Sequence, residues 1–91
     1  MIHPGEIVIS KAGRDKGRSL IILKQLDEKH LLLVDGDLRP LDKPKKKKII
    51  HLQKTNRRTD RLEEAVETKN NKLLRDEIKR LMPRKESRNI V

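Results

Sequence analysis

Short aliphatic stretches separated by polar turns fill the first part of the chain. Residues 5–11 contain Ile7, Val8 and Ile9, residues 19–26 contain four consecutive aliphatic side chains, and residues 30–34 contain three leucines and a valine. Aliphatic and β-branched residues favour strands, and the sequence Asp35-Gly36 is typical of a hairpin turn. The pattern predicts three consecutive antiparallel strands.

Two further strands are predicted between residues 39 and 52. Residues 39–41 read as a short edge strand, because Pro40 has no N–H to donate to a central ladder. Four lysines, residues 45–48, then lead into residues 49–52, where the apolar character returns. Five short strands predict a small barrel, since a sheet of this size protects its edges by closing on itself.

The apolar spacing becomes helical from Thr55 onward. Asp60 and Glu63 resemble a capping box at the start of a first helix, whose apolar face carries Leu62 and Val66. Residues 69–71 interrupt the pattern. A second helix is predicted from about Lys72 until Pro83, with one apolar face made of Leu74, Ile78, Leu81 and Met82.

These helices are too short to be stable alone in water, so their apolar face must pack on another surface. We expect that surface to be the sheet, through the outward side chains of Ile7, Ile9, Ile21 and Leu23. Residues 84–91 are predicted to be a disordered tail.

Composition narrows the choice of partners. The 91 residues allow one small core, which must be aliphatic because the chain has no Phe, Tyr or Trp. There are 24 Lys and Arg against 14 Asp and Glu, and the net charge of +10 favours a polyanion, either nucleic acid or an anionic membrane. No apolar run approaches the length of a membrane span, and the N-terminus lacks a signal peptide's pattern. We therefore expect a cytoplasmic protein with no membrane partner.

Three segments carry a resemblance to a known family: residues 5–8 (Gly-Glu-Ile-Val), residues 13–17 (Gly-Arg-Asp-Lys-Gly) and residues 33–36 (Leu-Val-Asp-Gly). Over residues 4–55 the chain resembles the bacterial KOW-domain RNA-binding proteins, which are related to KOW-containing large-subunit ribosomal proteins of eukaryotes and archaea. The resemblance implies a mainly β fold, with a five-stranded SH3-like barrel in residues 1–55. A basic extension, residues 56–91, would add one or two short α-helices and the tail.

The resemblance also implies RNA binding, often in a ribosomal setting, and it points to the loop between Gly13 and Gly17 as a contact. Gly13 and Gly17 let the backbone approach a phosphate, and the cationic side chains of Arg14 and Lys16 can neutralise it. The lysine run is a second candidate contact. Both segments also have a simpler interpretation. The loop between Gly13 and Gly17 is then only a solvated hairpin loop, and the lysine run is a set of charges that protects an edge strand from pairing with other chains. The candidate RNA-binding residues are Lys11, Gly13, Arg14, Lys16, Gly17, Arg18, Arg39, Lys43, Lys45, Lys46, Lys47 and Lys48.

The chain has no aromatic side chains on which the bases of a single strand could stack, so we expect it to recognise the shape and backbone of structured RNA. Arginines such as Arg57 and Arg58 could add stacking or bidentate contacts. The alternative is a protein-interaction adaptor of the translation or transcription machinery, which would use the barrel or the apolar face of the helices. Ribosomal proteins are further candidate partners.

Candidate enzyme chemistry is absent from the sequence. The chain has no Cys, its three histidines are scattered, and no phosphate-binding or nucleophile motif occurs. We expect a monomeric protein that is not an enzyme, with no catalytic residues, metal, cofactor or small-molecule substrate.

Overall fold

The computed structural model describes residues 2–82 as one five-stranded antiparallel sheet followed by two helices. The strand order is β4-β3-β2-β1-β5. This confirms the prediction of a mainly β fold with five strands and C-terminal helices. The elements are β1 (Glu6–Ser10), β2 (Ser19–Gln25), β3 (His30–Val34), β4 (Lys45–Lys48), β5 (Leu52–Arg58), α1 (Leu62–Glu67) and α2 (Asn71–Leu81).

One face of the sheet carries the two helices. Ile7, Ile21 and Val34 lie side by side on β1, β2 and β3 and pack against Leu73 and Leu74 of α2. Ala65 of α1 joins the same buried cluster, and Leu23 packs against it. The prediction that the helices dock on outward residues of the sheet is confirmed for Ile7, Ile21 and Leu23. Ile9 is only half-buried and lies outside this cluster.

The opposite face holds a second apolar cluster. It consists of Val8, Leu20, Ile22, Leu31 and Leu33, and it is covered by Ile2, Ile49 and Leu52. Successive residues of a strand point to opposite faces, so β2 needs aliphatic side chains at consecutive positions to fill both clusters. This explains the aliphatic run at the start of β2.

The last two strands differ from the prediction. The lysine run itself forms β4, which pairs with β3, whereas residues 39–41 lie in the connecting loop and form no strand. Ile49–His51 is a 3-10 turn, and β5 continues to Arg58 alongside β1. The prediction of helical spacing from Thr55 is therefore wrong, because β5 is polar and mostly exposed and shows no alternation. Within residues 2–82 the ladder does not join β4 to β5.

The helices begin and end close to the predicted positions, but one cap was misassigned. The N-cap of α1 is Arg61 and makes no side-chain cap bond, so the predicted capping box of Asp60 and Glu63 is wrong. Thr59 Oγ1 instead accepts a hydrogen bond from the Arg61 N–H at 3.0 Å. The predicted break between the helices is confirmed, and Asn70 caps α2 by accepting from the Leu73 N–H. Pro83 and the predicted tail lie outside the described residues.

Candidate nucleic-acid interface

The loop between β1 and β2, residues 11–18, is the first loop of the sheet, and it is a tight, basic turn. Gly13–Asp15 forms a 3-10 turn, and Gly13 and Gly17 have φ angles of +77° and +86°, which favour glycine. The Gly17 N–H donates to the Ser10 carbonyl at 2.8 Å, which closes the base of the loop. Arg14 and Lys16 are exposed. The loop therefore holds two cations in solvent on a short, fixed backbone.

The third charged residue of the loop, Asp15, points into the protein and is 2% exposed. Arg39 donates to it through two nitrogens, from Nε to Oδ1 at 3.3 Å and from Nη2 to Oδ2 at 3.0 Å. Lys47 Nζ lies 4.0 Å from Oδ2. One buried carboxylate therefore joins the first loop to the loop before β4 and to β4 itself.

The environment of Asp15 keeps it ionised. Burial acts to raise the pKa of Asp15, but the hydrogen bonds and charge of Arg39 outweigh it, with help from Lys47 and Lys45, and the pKa is lowered overall. The carboxylate is therefore charged at neutral pH. A buried charge needs a partner, so Arg39 is held firmly in place.

A second carboxylate shapes the loop that carries Arg39. Asp35 Oδ1 accepts hydrogen bonds from the backbone N–H groups of Asp37 and Arg39, each at 2.8 Å. Its other oxygen accepts from Arg18 Nη2 at 2.9 Å, and this bond is the main cause of the raised pKa of Arg18. Arg18 and Arg39 are thus both anchored by carboxylates on neighbouring loops.

The lysine run divides into two pairs because it is a strand. Lys45 and Lys47 lie opposite Leu33 and Leu31, and they are half-buried over the second apolar cluster. Their aliphatic stems can cover that cluster while the ammonium groups reach its rim. The alternate residues, Lys46 and Lys48, are exposed.

The structure brings the two predicted contacts together. A Cβ placed on Gly13 would lie 3.4 Å from Lys47 Nζ, so the first loop sits beside β4. We call the combined region the basic surface, and it comprises Arg14, Lys16, Arg18, Arg39 and Lys45–Lys48. Lys11 and Lys43 are exposed, and within residues 2–82 they have no ion-pair partner.

The contribution of Asp15 and Asp35 was missed at the sequence level. The sequence pattern indicates a loop of cations with no separate role for Asp15, and it places Asp35 in a hairpin turn. The one signal in the sequence is a single acidic residue inside a basic loop. Its partner Arg39 lies 24 residues away, so spacing could not identify it.

Arg57 and Arg58 lie on the other edge strand, β5. With Glu6, Lys54 and Asn56 they line a shallow cleft of about 150 Å³. Arg57 Nη1 donates to the Leu81 carbonyl at 2.7 Å at the end of α2, which is a favourable position for a cation. Arg57 therefore stabilises the helix, and it lies outside the basic surface.

Comparison with protein-family models and with curated proteins found no match for this chain. In the described part, residues 2–82, no helix combines the length and apolar character needed to cross a bilayer. The same residues contain no group of three or more His, Cys, Asp or Glu side chains placed to hold a metal ion.

Proposed function

We propose that this protein binds structured RNA, and ribosomal RNA in particular, through the basic surface. The observation that carries the proposal is the meeting of the first loop and the lysine strand around Asp15. Cations from three separate segments meet beside the edge strand β4, where they can contact neighbouring phosphates of a folded polyanion.

The kind of nucleic acid follows from what the basic surface contains. It offers lysines and arginines but no aromatic ring, so it has no aromatic platform on which unpaired bases could stack. Recognition of backbone and shape is the remaining mode, and folded RNA presents both. The resemblance of residues 4–55 to KOW-domain proteins supports the same assignment and favours a ribosomal setting.

A protein-interaction adaptor is the second candidate function. Most of the apolar face of the helices packs on the sheet, with Leu74 fully buried, so the helices do not offer that face to a partner. Two exposed aliphatic residues near the basic surface favour a protein contact instead. They are Leu38 in the loop before β4 and Ile50 in the turn after it, 61% and 73% exposed.

The proposal is tested by removing charges in matched pairs. The variants R14Q/K16Q and K46Q/K48Q each remove two exposed cations from the basic surface. The control K69Q/K79Q removes two exposed cations from the helical region. Affinity for protein-free bacterial ribosomal RNA is measured by filter binding from about 50 to about 200 mM salt.

Each surface variant should lower the slope of log affinity against log salt by about 1.4–1.8, since each phosphate contact contributes about 0.7–0.9. The control should keep the wild-type slope. Equal slopes for all three variants would overturn the proposal. Salt-insensitive retention on ribosomal proteins, with no RNA binding, would favour the adaptor.

A further inference from the structure

Arg39 has a fixed orientation with unused donors. Asp15 occupies the Nε hydrogen and one Nη2 hydrogen, and a guanidinium has five N–H donors in a rigid plane. Three donors, two on Nη1 and one on Nη2, are therefore not used by Asp15. The Arg39 side chain is 26% exposed, so part of it is accessible to a ligand.

The backbone beneath Arg39 is fixed as well. The Arg39 N–H donates to Asp35 Oδ1, and the Arg39 carbonyl accepts from the N–H groups of Asp35 and Gly36 at 2.8 and 3.2 Å. The exposed lysines Lys46 and Lys48 have no such restraint, because they have no ion-pair partner within the described residues. Arg39 is thus oriented in advance, whereas these lysines are flexible point charges.

We infer that Arg39 is a specificity-determining contact for folded RNA and that Asp15 is the positioning residue that orients it. The inference rests on the proposed function. A planar guanidinium held at one angle can bind a phosphate or a base edge in only one geometry, and this discriminates between RNA shapes. The lysines of β4 attract any RNA backbone and add affinity without discrimination.

Replacing Asp15 distinguishes a positioning role from a simple effect of charge. The change D15N removes a negative charge from a surface that binds phosphates, so on charge grounds it should strengthen RNA binding. If Asp15 positions Arg39, the same change should weaken the preference for the correct RNA. The two effects are separated by comparing two RNA probes.

The experiment measures filter-binding affinity for protein-free bacterial ribosomal RNA and for a short RNA duplex of mixed sequence. In R39K and D15N the preference for ribosomal RNA over the duplex should fall about tenfold, within the range for one bidentate arginine contact. R39K keeps the positive charge, so duplex affinity should fall less than ribosomal RNA affinity in this variant, and in D15N duplex affinity should stay or rise. K46Q/K48Q should weaken both affinities alike and keep the preference.

An unchanged preference in R39K, with ribosomal RNA still bound, would overturn the inference and leave the proposed function standing. Equal wild-type affinity for both probes would also overturn it, because no preference would exist. Failure of the wild-type protein to bind either RNA would overturn the proposed function and the inference together. Thermal unfolding followed by circular dichroism checks each variant, and R39K decides alone if D15N does not fold.

Discussion

Replacing Gly36 by alanine tests how α2 is docked on the loop that carries Arg39. Gly36 is buried with a φ angle of +77°. A Cβ at this position would overlap the Asn71 carbonyl oxygen and lie 3.1 Å from both Leu74 Cβ and Arg75 Cγ. The Arg75 side chain also donates to the Gly36 carbonyl at 2.6 Å. The added methyl group must therefore push α2 away from the loop.

The expected cost has two parts. A non-glycine residue in the left-handed region costs about 1–2 kcal/mol. Forcing the start of α2 outward adds overpacking strain of about 1–3 kcal/mol and weakens the Arg75 hydrogen bond. We expect G36A to lower the free energy of unfolding by about 2–5 kcal/mol, which is a large part of the stability of a domain this small.

Gly17 supplies the matched control. It has a φ angle of +86°, but a Cβ there would meet no atom within 4 Å. The variant G17A should therefore show the backbone cost alone, about 1–2 kcal/mol. Both variants are measured by urea unfolding followed by circular dichroism. A G36A cost no larger than that of G17A would refute the docking of α2 against this loop.

Two further predictions concern the helices. Leu74 is fully buried, whereas Val66 is 43% exposed. In urea unfolding, L74A should therefore destabilise the protein by about 2–5 kcal/mol, and V66A by less than about 1 kcal/mol. Equal costs for the two variants would contradict the packing of α2 on the sheet. Hydrogen bonds from the Arg80 side chain lower the pKa of Glu77. Burial opposes this effect, and a hydrogen bond from Thr59 adds to it, so the pKa is lowered overall. The stability that Glu77 contributes is present above its ordinary carboxyl pKa and is lost as the pH falls through the lowered value. Thermal melts from about pH 7 to about pH 3 should therefore lose less stability in E77Q than in wild type, and parallel curves would contradict this.

The aliphatic strands and the helix break could be predicted from sequence because their signals are local. Four adjacent aliphatic residues in β2 and a polar interruption between the helices are visible within a few positions. The helix-bearing face of the sheet followed from the need of short helices for a packing surface. These predictions concern which side chains are buried, and aliphatic residues indicate buried positions directly.

The edge strands could not be predicted in the same way. β4 is entirely lysine, and its strand form comes from pairing with β3 and from stems that lie over an apolar cluster. β5 has one apolar residue, Leu52, followed by six polar residues. It is a strand because it pairs with β1. Tertiary pairing determines both strands, and the local sequence carries little trace of it.

The basic segments of the candidate site could be predicted from the sequence, but the contact that joins them could not. The loop cations and the lysine run were identified from charge, glycine spacing and family resemblance. The contact between Asp15 and Arg39 depends on the fold, since it joins two loops that are distant in the sequence. The local sequence therefore indicates two separate basic segments, and in the fold these segments meet where Arg39 and Lys47 contact the buried Asp15.

Amide hydrogen exchange, measured by mass spectrometry with and without protein-free bacterial ribosomal RNA, tests most directly whether the loop and β4 bind RNA together. RNA should slow exchange in peptides covering residues 11–18 and residues 43–48 at the same RNA concentration, and it should leave residues 62–70 of the helical region unchanged. Higher salt should reverse both effects in parallel. Slowing confined to the helical region, or at only one of the two basic segments, would contradict a single RNA-binding surface.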